Sequence, residues 1–222
     1  MSDEATFIDL SHTVENGMIT YPGLPGPVVC DYLSRDESRK HYAEGTTFHI
    51  GQIDMVANTG TYVDAPFHRY ADGADLSELP LSSLANLPIT LVKADGQSID
   101  VDAFEGVDIA GRAVLVQTGW SRHWNTPDYL EGHPYLTGRA AVYLRDQGAT
   151  LVGINSLNID DTSDGSRPVH STLLAAGIPI AEHLTNLADL PDSDGRFFAT
   201  PAKVKAMGTF PVRAFAIANS KP

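Results

Sequence analysis

Short runs of apolar residues, each bounded by glycine, proline, asparagine or aspartate, recur along the whole chain. Short apolar runs between such breaking residues are typical of β-strands. They predict strands at residues 7–10, 46–55, 89–92, 114–116, 151–154, 178–181 and 212–217. We therefore expect a fold that is rich in β-structure.

Two segments have helical spacing instead. Residues 137–147 begin with a capping threonine and stop before Gly148, and residues 169–176 stop before Gly177. Each predicted helix is followed directly by a predicted strand, as in α/β crossover units. No break in composition suggests a linker, so we predict one mixed α/β domain that spans residues 1–222.

The charge balance limits the partners that we expect. The chain has 28 acidic and 15 basic side chains, a formal net charge of -13. Phosphate backbones and anionic lipids would repel it, so we predict a small-molecule ligand and neither nucleic acid nor membrane as partner. The residues after Met1 show no basic and apolar export signal, and the only cysteine, Cys30, cannot form an internal disulfide. These features predict a cytoplasmic location.

The segment richest in reactive side chains is residues 58–68, Asn-Thr-Gly-Thr-Tyr-Val-Asp-Ala-Pro-Phe-His. Pro66 favours an extended conformation before it. In an extended stretch Tyr62, Asp64 and His68 have the same parity and can project to one side. A carboxylate and an imidazole together can bind a metal or move a proton. The same pair is common in surface loops, so the spacing alone leaves both readings open.

This segment resembles the signature of the cyclase family, which includes bacterial kynurenine formamidases and isatin hydrolases. The signature reads His-x-Gly-Thr-His-x-Asp-x-Pro-x-His, and this chain has Asn58 and Tyr62 in place of its first two histidines. The remaining signature positions match, at Gly60, Thr61, Asp64, Pro66 and His68. Further stretches resemble the family in the same order along the chain, at residues 9–12, 21–23, 116–120, 151–155, 169–174 and 180–187.

The resemblance implies a swivelling β/β/α-type fold and a homo-oligomer, either a dimer or a tetramer. It also implies hydrolysis of a small cyclic or aryl amide, or a lactone, in the manner of an arylformamidase. The equivalents of Asp64, His170 and Glu182 would hold one divalent metal ion that activates water, and His68 would carry the proton. Tyr62 would be a second catalytic residue.

The two substitutions affect the metal that we expect. Without the two imidazoles the site is richer in oxygen, which favours manganese or magnesium, with zinc as the other candidate. Among the histidines, His49 or His183 could replace a missing ligand. Asn58, Asp160 and Trp120 are candidates for substrate binding: Asn58 would orient the carbonyl, Trp120 would stack on an aromatic ring, and Asp160 would act beside the metal site.

Two alternatives remain open from the sequence. The loss of two signature histidines is compatible with a degenerate member that binds a small metabolite without turnover. It is also compatible with a metal-free isomerase or cyclase in which Tyr62 and His68 transfer protons.

Overall fold

The computed structural model of the protein describes residues 5–191 and 195–219. Its strands, in chain order, are β1 Ala5–Asp9, β2 Val28–Leu33, β3 Ile50–Asp54, β4 Tyr62–Asp64, β5 Leu87–Lys93, β6 Ser98–Ile99, β7 Ala113–Gln117, β8 Tyr135–Leu136, β9 Leu151–Ile154, β10 Ile180–Glu182, β11 Gly195–Phe198, β12 Thr209–Pro211 and β13 Phe215–Asn219. The helices are α1 Arg35–Ser38, α2 Gly138–Asp146 and α3 Pro168–Ala175.

One sheet of nine strands organises the molecule, in the order β1-β13-β11-β5-β7-β9-β10-β4-β12. Its centre, from β5 through β7 and β9 to β10, is parallel, and antiparallel strands complete both sides. Two smaller sheets pair β2 with β3 and β6 with β8. The predicted β-rich α/β domain is confirmed.

Both faces of the central strands are buried. Val114, Val116 and Ile154 belong to the core beneath α2 and α3, whereas Leu115 and Leu151 belong to a second core on the opposite face. Strands covered on both sides have nearly continuous apolar sequences. This is why the central strands were easy to predict.

The two predicted helices are confirmed, and their ends follow the expected chemistry. The Thr137 hydroxyl accepts a hydrogen bond from the Ala140 N–H at 3.0 Å and caps α2. Helix α3 starts with Pro168, whose missing N–H costs nothing in the first turn, and Asp160 accepts the N–H groups of Val169 and His170.

The edges of the sheet differ from the prediction. Of the predicted strand 212–217 only residues 215–217 are strand, as the start of β13. Strand β12 ends at Pro211, just before the predicted range, and lies near the opposite edge of the sheet. Strands β2 and β11 were not predicted, because β2 is exposed and β11 alternates in burial over only four residues. Within the predicted strand 46–55, only Ile50–Asp54 is a strand.

Strands β2 and β3 form an arm that is largely exposed and carries many apolar side chains. We call residues 28–54 the hairpin arm. Its apolar side chains that are more than two-fifths exposed are Val28, Val29, Tyr32, Tyr42, Phe48, Ile50 and Ile53. Among the residues that the structure describes, no helix is both long and apolar enough to cross a membrane.

Candidate active site

Strand pairing brings the signature segment against the C-terminal half of the chain. Strand β4 lies antiparallel to β10, with Tyr62 opposite Glu182 and Asp64 opposite Ile180. On the other side of β4, Asp64 lies opposite Thr209 of β12. The resulting cluster therefore combines side chains from early and late parts of the sequence.

Asp64, His170 and Glu182, predicted to converge, are close together. Nε2 of His170 lies 3.5 Å from Oδ2 of Asp64 and 3.8 Å from Oε1 of Glu182. Both separations exceed an ordinary N–H···O hydrogen bond. Oδ2 of Asp64 is buried and has no hydrogen-bond partner among the described residues. A buried carboxylate oxygen without a partner indicates that another group belongs beside it.

Asp160 lies behind His170 rather than in front of it. Its Oδ2 is 2.6 Å from Nδ1 of His170, and its two oxygens also accept the backbone N–H groups of Val169 and His170. A carboxylate bound to Nδ1 fixes the ring and leaves Nε2 free as a metal ligand. Asp160 is fully buried, so it can orient the ring of His170 but cannot contact a substrate.

The charges around His170 favour a cation. Burial alone would lower the pKa of His170, but Asp160 and Asp64 outweigh it and raise the pKa to about 10. Burial raises the pKa of Glu182 to about 7, despite the opposing effect of His170. Three buried carboxylates thus surround one imidazole, and they need positive charge nearby.

A divalent cation fits this donor set. Asp64, His68 and His170 each offer one ligand atom, and these atoms lie within 4.8 Å of one another. Carboxylate oxygen and imidazole nitrogen suit manganese and zinc. Glu182 is the alternative third ligand, although both of its oxygens already accept hydrogen bonds, from Tyr62 and from the Ile159 N–H.

Thr209 joins Asp64 to His68, a role that was not predicted from the sequence. Its hydroxyl lies 2.8 Å from Nδ1 of His68 and also donates to Oδ1 of Asp64. Burial would raise the pKa of Asp64, but His170 and His68 outweigh it and lower the pKa, so this carboxylate is an acceptor. The single hydroxyl proton therefore goes to Asp64, Nδ1 of His68 is the donor, and Nε2 of His68 carries the lone pair.

His68 does not continue the extended strand, which corrects the parity argument. Residues 66–68 form a single 3-10 turn that begins at Pro66, because proline favours the first position of a helical turn. The turn packs against β12 through Gly208, where a Cβ would lie 2.4 Å from the His68 nitrogen. The side chain of His68 is 35% exposed, the most accessible of the three potential ligands.

Tyr62 holds Glu182. Its hydroxyl donates to Oε2 of Glu182 at 2.6 Å, and the Asn58 amide lies within hydrogen-bonding reach of the same phenol oxygen. Burial, together with the negative charges of Glu182 and Asp64, raises the pKa of Tyr62 well above its ordinary value. Tyr62 therefore remains a protonated donor near neutral pH.

A cavity of about 370 Å³ opens over this cluster, a size typical of small-ligand sites. From the signature segment and its partners it is lined by Asn58, Tyr62, His68, His170 and Glu182. From other parts of the chain it is lined by Tyr21, Pro22, Gly23, Leu24, Arg69, Asn158 and Arg167. The two arginines were not predicted, because arginine is also common on ordinary surfaces.

Three predicted residues lie elsewhere. Trp120 does not line the cavity, and its indole N–H donates to the carbonyl of Tyr129 at 3.0 Å. His49 lies on the hairpin arm, 2.8 Å from Asp31. His183 is buried behind Tyr62, with its Nδ1 2.8 Å from the hydroxyl of Tyr129. Trp120 and His49 therefore lie away from the cluster, and His183 packs against the ring of Tyr62 without lining the cavity.

The chain is similar in sequence to two bacterial kynurenine formamidases. The one from Geobacillus thermodenitrificans strain NG80-2 is 28% identical over 210 residues, which cover 94% of this chain and 95% of that protein. The one from Bacillus cereus strain ATCC 14579 is 27% identical over 209 residues, with the same shares covered.

Two solved structures share the fold. One, titled "The Structure Of Potential Metal-Dependent Hydrolase With Cyclase Activity", has a TM-score of 0.80 and 27% identity, and the match covers 99% of this chain and 100% of that one. Isatin hydrolase A from Labrenzia aggregata has a TM-score of 0.81 at 21% identity, covering 97% of this chain and 94% of that one. The Cyclase family model, described as "Putative cyclase", matches residues 8–161, more than half of the chain. This protein therefore belongs to the cyclase family.

Proposed function

We propose that this protein is a metal-dependent hydrolase of a small cyclic or aryl amide, or of a lactone, in the manner of an arylformamidase. One observation carries the proposal: the buried, unpartnered Oδ2 of Asp64 faces Nε2 of His170, which Asp160 orients from behind. The relatives named kynurenine formamidase and the shared fold with isatin hydrolase support the reaction class.

Asp64 and His170 would hold one divalent ion, manganese or zinc, with Glu182 as the third ligand. A divalent cation supplies positive charge that lowers the pKa of water and polarises a carbonyl oxygen. Asp160 keeps Nε2 of His170 directed at the ion, and Thr209 does the same for the Asp64 carboxylate.

His68 would carry the proton. Its Nε2 has the free lone pair and accepts a proton as water adds to the carbonyl carbon. The bond from that carbon to nitrogen then breaks, and His68 gives the proton to the departing nitrogen. An open-chain amide gives a carboxylic acid and an amine, and a cyclic amide gives one molecule that carries both groups. In a lactone the carbon–oxygen bond breaks instead, the oxygen takes the proton, and the product is a hydroxy acid.

Asn58 and Tyr62 would bind the substrate carbonyl and hold Glu182, in place of the two histidines of the family signature. The amide of Asn58 lines the cavity and offers N–H donors to a carbonyl oxygen. Tyr62 donates to Glu182 and so keeps that carboxylate oriented.

The test combines metal content with hydrolysis. The purified protein is dialysed against a chelator, reloaded with manganese or zinc chloride, and assayed for formate release from formanilide. We expect about one ion per chain and restored turnover. Asp64→Asn should lose both the ion and the activity, His68→Gln should keep the ion and lose activity, and the exposed Asp128→Asn should retain both.

Other outcomes identify what is wrong. Loss of the ion in His68→Gln would make His68 a ligand and not the proton carrier. No ion and no turnover across amides and lactones would favour a binding protein without catalysis. Turnover that survives complete chelation would favour a metal-free reaction of Tyr62 and His68.

We also propose that the protein forms a homo-oligomer, a dimer or a tetramer. The exposed apolar side chains of the hairpin arm support this, because a monomer would leave them in contact with water. A cytoplasmic location remains a prediction that rests on the single, exposed thiol of Cys30.

A further inference from the structure

Two arginines line the cavity together with the paired imidazoles. Arg69 directly follows His68, Arg167 lies one helical turn before His170, and both line the cavity. The rings of His68 and His170 are 5.9 Å apart between centroids. Two guanidinium groups therefore stand at the edge of the space in which a substrate would meet the imidazoles.

Ser171 shows that the two arginines share one rim. Its hydroxyl accepts a hydrogen bond from Nε of Arg69 at 3.3 Å, and its backbone N–H donates to the carbonyl of Arg167 at 2.9 Å. Arg69 therefore lies across the first turn of α3 from Arg167. Since only Nε of Arg69 is used, its terminal N–H groups remain available to a ligand.

Neither arginine forms an ion pair in the described part of the chain, although Asp164 lies close enough to Arg167 to interact with its charge. In residues 5–191 and 195–219, no carboxylate lies within 4.0 Å of the guanidinium of Arg69 or Arg167. Arg167 donates only to uncharged acceptors, the carbonyl of Asp161 at 3.1 Å and the hydroxyl of Tyr21 at 3.3 Å. By contrast Arg112, Arg139 and Arg213 are each paired with an aspartate.

The backbone of Arg167 indicates that its side chain matters. Its φ of +47° lies in the left-handed region, which glycine adopts more readily than any residue with a side chain. The side chain is nevertheless large and is held by two hydrogen bonds at the cavity wall. Strain of this kind is common where a protein must fix a functional group.

From this geometry we infer that Arg69 and Arg167 bind a carboxylate of the substrate, so that the preferred substrate is an anionic aryl or cyclic amide. The inference rests on the proposed hydrolase function and adds its substrate class. Guanidinium groups bind carboxylates through two parallel hydrogen bonds. In a protein of net charge -13, two cations at one cavity also reduce the repulsion that an anion would meet there.

The experiment compares two substrates that differ in one carboxylate. The metal-loaded protein is assayed with 2-formamidobenzoate and with formanilide, and the ratio of the two kcat/KM values is measured. For Arg69→Gln and for Arg167→Gln we expect this ratio to fall roughly 10- to 100-fold, through KM of the anionic substrate. Arg69→Lys should fall between wild type and Arg69→Gln, because it keeps the charge and loses the paired geometry.

The matched control is Arg196→Gln. Arg196 lies exposed on β11, outside the cavity, and its substitution makes the same change in net charge. Its ratio should equal that of the wild type. Arg167 also supports the loop at Asp161, so Arg167→Gln could fail to fold. In that case Arg69→Gln decides the question, because Arg69 is exposed and its substitution should not disturb folding.

A binding measurement separates this inference from the proposed function. Calorimetric titration of the same proteins with 2-aminobenzoate and with aniline needs no turnover. Tighter binding of 2-aminobenzoate that is lost in Arg69→Gln would support the carboxylate site even if neither amide is hydrolysed. Hydrolysis of both amides with an unchanged ratio in Arg69→Gln, or equal binding of the two probes, would overturn the site and leave the hydrolase intact.

Discussion

Thr209→Val removes one hydroxyl while almost preserving the shape of the side chain, and its effect can be worked out from the structure. The hydroxyl donates to Oδ1 of Asp64 and accepts from Nδ1 of His68. Asp64 is fully buried, and its other oxygen has no hydrogen bond within the described part of the chain. The variant therefore leaves an ionised carboxylate without a hydrogen bond.

Hydrogen bonds to charged groups contribute about 1.5–3 kcal/mol each. We expect the free energy of unfolding of the metal-free protein, measured with urea, to fall by about that amount in Thr209→Val. We also expect kcat to fall roughly 10- to 100-fold, since the ring of His68 loses the acceptor that fixes its tautomer.

The matched variant is Thr209→Ser, which keeps the hydroxyl and loses one methyl group. It should cost about 1 kcal/mol of stability from lost burial and keep most of the activity. Nitrogen-15 chemical shifts should place the proton of neutral His68 on Nδ1 in wild type and in Thr209→Ser. If Thr209→Val and Thr209→Ser have the same kcat and the same tautomer, the hydroxyl does not link Asp64 to His68.

Three further substitutions test other parts of the structure. Asp160→Asn should weaken metal binding by roughly 10- to 100-fold in a chelator competition, because His170 loses its orienting carboxylate; unchanged affinity would contradict that role. Burial lowers the pKa of His12 to about 4, below its unfolded value of 6.5. The free energy of unfolding should therefore decline as the pH falls from 6.5 to about 4, by on the order of 2–3 kcal/mol from this residue. His12→Phe, which keeps the stacking on Trp124, should make urea midpoints less dependent on pH, and an equally steep decline would refute the assignment. Ile53→Asp on the hairpin arm should shift the sedimentation coefficient towards that of a monomer, and an unchanged value would exclude the arm as the contact between subunits.

The sequence predicted the centre of the molecule better than its edges. Central strands such as Leu151–Ile154 are apolar on both faces, so their runs are uninterrupted. Helix α2 was bounded by its threonine cap and by Gly148. By contrast β2 has no buried face within the chain, and its apolar residues do not alternate with polar ones as in a half-buried strand.

The residues of the candidate site were also predicted only in part. The likeness to the family signature identified Asp64, and the further likeness at residues 169–174 and 180–187 identified His170 and Glu182. Thr209 escaped prediction, since it acts only through strand register, beside an aspartate 145 positions earlier. No local pattern in a sequence marks a contact of that range.

Gly208 has a consequence for any effort to diversify this enzyme. A methyl group at this position would lie 2.4 Å from the His68 nitrogen and 2.5 Å from its Cα, both of them backbone atoms that cannot swing aside. Libraries randomised near the cavity should therefore return glycine alone at position 208, while tolerating replacements at Leu24. A residue with no side chain, absent from the cavity wall, would thus be among the least replaceable in the protein.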